Sequence, residues 1–187
     1  MNAKSASERS VAAYLTGNTR IDAAELARAR SEVASTGRAD LLARVELAHC
    51  AAQVASLVFE GCTAFEPLRL DAPVPERAYA DYLAGKLAAP EAALLPEAHR
   101  AVATNSAALQ GVKDPLSRLV AAGVLFETNR ADPQVISLAI STASDQGWRR
   151  PLLAWLNVQL KRAEAAGASD EAAQLRRRIA IGAGPQK

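Results

Sequence analysis

The sequence predicts an all-α protein: an antiparallel helical bundle, or set of stacked α-hairpins, with about eight to nine helices and no sheet. Three observations carry this expectation. Strong helix formers (Ala, Leu, Arg, Glu, Gln) dominate, while Val, Ile, Tyr and Phe are comparatively sparse. Apolar residues recur at spacings of three and four, with no sustained period-two alternation. Cap residues and glycines divide the chain into short, regular segments.

Half of the 187 residues are hydrophobic, enough for one core. A single helical domain is therefore expected over 1–181, with a flexible tail at 182–187. Within it, N-terminal helices fill 1–59, a long ordered loop 60–75 and helical hairpins 76–181. Much of the apolar material is alanine, so the helices must approach closely and the larger side chains must supply most of the burial energy.

The elements follow in order. Ser5 stands three residues before Glu8, the spacing of a capping box, and Gly17 closes the first helix. Asp22 and Glu25 repeat that spacing, Ile21 and Leu26 form a hydrophobic staple, and Gly37 ends the second helix. The longest helix is expected over 39–59. Leu41, Val45, Ala48, Ala52, Ala55 and Phe59 follow spacings of four and three, and Leu47, Val54, Leu57 and Val58 widen the apolar face, so this helix should be central. Residues 60–75 lose the helical period, and Pro67, Pro73 and Pro75 remove backbone donors. Phe65, Leu68 and Leu70 argue for order, with the segment lying extended across the helices. A fourth helix covers 75–85 and carries Tyr79, Tyr82 and Leu83. Pro90 opens a short turn at 90–95, and Pro96 opens a helix to about Gln110.

The last third is the most regular. Asp114-Pro115 and Asp132-Pro133 each set an N-cap before a proline at the first helical position. Gly147 and Gly167 end helices, Pro151 begins one, and Ser169 or Asp170 caps the last. The expected helices are 115–128, 133–146, 151–166 and 170–181. Pro115 and Pro151 lie 36 residues apart, and at that offset Leu116 matches Leu152, Leu119 matches Trp155 and Val120 matches Leu156. In this, residues 114–181 resemble the tetratricopeptide and Sel1-like class of α-hairpin repeats. The family's Trp, Leu-Gly and Tyr positions are not reproduced as a set, so the resemblance implies stacked hairpins and carries over no binding residue. An irregular bundle with equal helix lengths would show the same spacing. The chain as a whole resembles small Ala-rich bacterial helical proteins, lipoproteins among them, of unassigned function.

Cys50 and Cys62 leave two states open. In a reducing cytosol both would be free and buried; in an exported protein the even pair suggests a disulfide. Nine helical residues from Cys50 to Phe59 would rise about 13.5 Å. The three steps on to Cys62 return at most about 10–11 Å, while bridged α-carbons lie within about 7 Å. Closure needs a sharp reversal, for which Gly61 is the best-suited residue.

No catalytic set is legible. His49 and His99 are the two histidines, and His49 beside Cys50 points about 100° away on a helix, so no metal site is expected. There is no CxxC, HExxH, GxSxG, P-loop or GxGxxG spacing, and no cofactor is expected. Asp22, Asp114, Asp132 and Asp170 are read as caps. A formal charge of +2, from 22 basic and 20 acidic residues, gives no footprint for nucleic acid. No apolar run matches a membrane span and residues 1–10 are polar, so any membrane link would be through a removed lipid anchor.

The expected function is therefore non-enzymatic: a protein-binding or scaffolding module, possible settings being a periplasmic or outer-membrane-anchored lipoprotein and a cytosolic adaptor with reduced thiols. An enzyme with a site assembled from distant residues is the third reading. The candidate binding residues are Trp148, Arg149 and Arg150 at a helix junction, and Phe65 and Arg69 in the loop.

Overall fold

The computed structural model describes residues 2–184. Among them are nine α-helices and no strand: α1 (Ala3–Thr16), α2 (Thr19–Ala34), α3 (Ala39–Ala55), α4 (Val74–Leu83), α5 (Glu97–Thr104), α6 (Pro115–Glu127), α7 (Pro133–Asp145), α8 (Arg149–Ala165) and α9 (Ser169–Ala183). Short 3-10 turns span Glu66–Leu68, Ala89–Leu94 and Ser106–Gly111. The all-α expectation holds.

Packing divides the chain into a hairpin, a central pair and a stack. α1 packs mainly on α2, with a small core of Ala6, Leu26, Ala29, Val33 and Val45 where they meet α3. α3 packs on α6 at the centre, and α6, α7, α8 and α9 then pack pairwise in chain order. Gly123 sets the closeness of the central pair: a Cβ there would lie 2.3 Å from the Val54 carbonyl oxygen. An alanine-rich helix thus meets a glycine and the backbones come within van der Waals reach. Beside this contact, Trp155 is fully buried, meets Phe126 edge-on at 5.8 Å, and donates its Nε1–H to the Ala55 carbonyl at 3.1 Å. Leu119 and Trp155, paired at the offset of 36, are both 0% exposed.

Several boundaries differ from the sequence reading. The first two caps are Asn2 and Asn18, whose side chains accept from the Ser5 and Ile21 amides. α2 therefore starts a turn early, and Asp22 lies inside it rather than capping it. Asp114 and Asp132 do cap, accepting from the Ser117 and Val135 amides. α8 begins two residues before Pro151, and α9 begins at Ser169 with no side-chain cap, so Asp170 sits in its first turn. The helix expected over 96–110 breaks at Asn105 into α5 and a 3-10 turn. α9 continues to Ala183, so 182–183 are helical, while 185–187 of the expected tail lie outside the described residues.

The largest correction concerns α3. It ends at Ala55, because Leu57 takes a left-handed conformation (φ 59°) that turns the chain back. The reversal comes four residues sooner than Gly61, which itself has φ 71°. The long outward rise to Phe59 never forms, and Cys50 and Cys62 meet with α-carbons 5.4 Å apart in a disulfide. The following segment is not extended. It folds into turns around the Glu66–Leu68 3-10 turn and buries Phe65 completely.

Candidate functional site

The main cleft grows directly from helix periodicity. On α1, Ser7, Val11 and Leu15 fall at successive steps of four; on α3, Arg44, Leu47, Ala48 and Ala51 follow spacings of three and four. α1 packs on α3, while α4 packs on α3 and α6, and α5 packs on α6. The α1 face and the α4–α5 face thus stand opposite each other above a floor of α3 and α6. Alanines at 12, 48 and 51 leave the space open where larger side chains would fill it. The result is a cleft of about 870 Å³. Leu15, Leu47, Leu95 and Val120 form its buried apolar base, the half-buried Leu116 and Trp148 also line it, and Glu8, Arg44, Glu76 and Arg100 mark its rim.

Tyr79 and His99 give the α4–α5 wall its chemistry. Their ring centroids are 5.6 Å apart, and Tyr82 packs 5.2 Å from His99 behind them. His99 is 2% exposed and its Nδ1 has no hydrogen-bond partner. Burial lowers its pKa to about 4, so the ring is neutral at physiological pH. Burial likewise pushes the Tyr79 phenol well above its usual range. At the rim, Arg44 Nε donates to Glu76 Oε1 at 2.8 Å, tying α3 to α4. Arg100 Nε donates to the Leu95 carbonyl at 2.7 Å.

A second polar group lies beneath α1. Ser10 Oγ donates to Asp22 Oδ1 at 2.7 Å, and His49 Nε2 lies 3.1 Å from the same oxygen. Ser10 is fully buried and Asp22 is 6% exposed. The carboxylate stands between hydroxyl and imidazole, so the serine meets the carboxylate and not the histidine, and the trio lacks the Ser–His–Asp order of a nucleophilic triad. Its evident work is to join α1, α2 and α3. Among the described residues, no group of three or more His, Cys, Asp or Glu side chains is placed to hold a metal ion, and no helix is long and apolar enough to cross a membrane.

The binding candidates named from sequence do not converge. Trp148 precedes α8 and lines the cleft. Arg149 donates to the Ala183 carbonyl at the end of α9. Arg150 donates to the Tyr14 carbonyl at 2.8 Å and to Thr19 Oγ1 at 3.1 Å, with its guanidinium 4.1 Å over the Tyr14 ring. It fastens the N-terminal hairpin to α8. Phe65, at 0% exposure, is a core anchor and offers no surface for docking. Arg69 is held between Glu66 (2.8 Å) and Asp81 (3.0 Å), away from the cleft. His99 and Tyr79, which line the cleft, carry no binding signal in the sequence. No family model, no curated protein and no solved structure matches the chain.

Proposed function

We propose that the protein is a non-enzymatic binding module for another protein, and that the cleft between α1 and α5 receives apolar side chains of that partner. The observation that carries this reading is the cleft itself: an apolar base inside a rim of charged residues, which is the layout of a protein-recognition patch with a dry centre and a polar edge. Its volume suits a few side chains rather than a whole helix. The Cys50–Cys62 bridge supports an oxidising setting such as the periplasm.

The test is a photo-crosslinking amino acid at position 12, in the cleft, with a second copy of the experiment at exposed position 171 on α9 as control. The reading expects a partner adduct from position 12 alone, lost when Ala48→Trp fills the cleft in a protein whose melting temperature is unchanged. Adducts that ignore Ala48→Trp would sink it.

A further inference from the structure

We infer that the group the cleft selects is a carboxylate at the apolar C-terminal end of a partner chain, a conclusion that rests on the cleft being the binding site.

Apart from Glu76, which Arg44 engages, the charged group of the α4–α5 wall is Arg100. Arg100 carries a permanent positive charge at the rim; its Nε is occupied by the Leu95 carbonyl, and no carboxylate pairs with it among the described residues. His99 is almost completely buried and lines the same cleft, and its Nδ1 is enclosed without a hydrogen-bond partner. Held neutral by burial, its ring has one N–H donor and one acceptor nitrogen, so the charge preference of this wall comes from Arg100.

The acids near the cleft do not supply the missing acceptor. Glu76 is engaged by Arg44 at 2.8 Å. Glu8 belongs to the opposite, α1 wall, where it lies 3.9 Å from Lys4. A ligand that complements the α5 wall therefore brings an anionic acceptor with it, attached to an apolar body that covers Leu15, Leu47 and Val120.

A chain terminus supplies both on adjacent atoms, a carboxylate and the last apolar side chain, and capture of a C-terminal carboxylate is a recurrent recognition mode. A fatty acid would offer the same head, yet the polar rim of Ser7, Arg44 and Ser117 gives hydrogen-bonding partners to a peptide backbone and none to an acyl chain.

Titration calorimetry on the intact protein tests this with four probes: acetyl-Leu-Leu-Phe-Leu as the free acid, the same peptide as its C-terminal amide, acetyl-Leu-Glu-Leu-Phe-Leu-amide, and dodecanoate. The free acid is expected to bind about 10- to 100-fold tighter than the amide, as for a charge-assisted hydrogen bond in a partly dry site. Arg100→Gln should abolish that preference and Arg100→Lys should keep part of it, with all proteins matched in melting temperature. Equal binding of acid and amide would overturn carboxylate selection while leaving the cleft reading to its own crosslinking test. An internal-glutamate peptide or dodecanoate binding as tightly as the free acid would overturn the chain-end assignment. So would failure of the free acid to bind at all.

Discussion

The indole of Trp155 donates its Nε1–H to the carbonyl of Ala55, 3.1 Å away and 100 residues earlier in the chain. That carbonyl is one of the last four of α3, which have no partner within their own helix. A side chain from the stacked C-terminal helices thus completes the end of the central one. Trp155→Phe keeps most of the packing and removes the donor, leaving a buried acceptor unpaired, so a loss of about 1–3 kcal/mol is expected in urea unfolding. Trp155→Ala should cost about 3–5 kcal/mol. An unaltered midpoint for the Phe variant would mean the Ala55 carbonyl finds another donor.

Gly123 is expected to be among the least replaceable residues. In Gly123→Ala the new methyl would meet the Val54 carbonyl oxygen at 2.3 Å, and backbone cannot step aside as a flexible side chain can. A loss of about 1–3 kcal/mol or more should appear in thermal unfolding. Gly111→Ala is the matched control, because nothing lies within 4 Å of a Cβ there. Similar melting temperatures for the two variants would contradict the close contact of α3 and α6.

Removing the bridge with Cys50→Ser and Cys62→Ser together frees a loop of separation 12 and should destabilise by about 3 kcal/mol in the chain-entropy model. Reductant should move the melting temperature of the natural protein towards that of the double variant and leave the variant itself unmoved. Mass spectrometry before and after alkylation checks that the thiols are paired to begin with.

His99 predicts an acid-sensitive fold. Its pKa falls from an ordinary 6.5 in the unfolded chain to about 4 when folded, because burial disfavours the imidazolium. Below pH 6.5 the unfolded chain binds the extra proton, so the stability present above that pH is lost as pH falls towards 4, by about 3 kcal/mol in all. Stability of a His99→Phe variant should change less over the same interval. Parallel pH curves for the two proteins would show that carboxylates alone govern the acid limb.

How much of this was legible depends on whether the signal was local. Asp114 and Asp132 were readable as caps because each precedes a proline, which fits only the first turn of a helix. Asn2 and Asn18 are masked in the sequence because Ser5–Glu8 and Asp22–Glu25 imitate a capping box a few residues further on. That shift hid Asp22, which at the true register faces inward to Ser10 and His49. The end of α3 carried no warning at all: Leu57, Val58 and Phe59 prolong the apolar pattern, yet Leu57 takes a conformation normally left to glycine. The cleft lay furthest from view. Its lining runs from Ser7 to Trp148, and its decisive feature is the absence of bulk at three alanines, which look like ordinary helix formers until the helices are assembled.

The α3–α6 contact has an evolutionary corollary. Where no methyl group can be inserted, Gly123 is closed to substitution, and descendants of this chain must keep the spacing of the α3–α6 pair that carries the cleft's floor. Solvent-facing positions such as Glu8 and Arg100 carry no such restriction. New ligand preferences would then arise by exchanging residues around the mouth, on a foundation that stays constant from one homologue to the next.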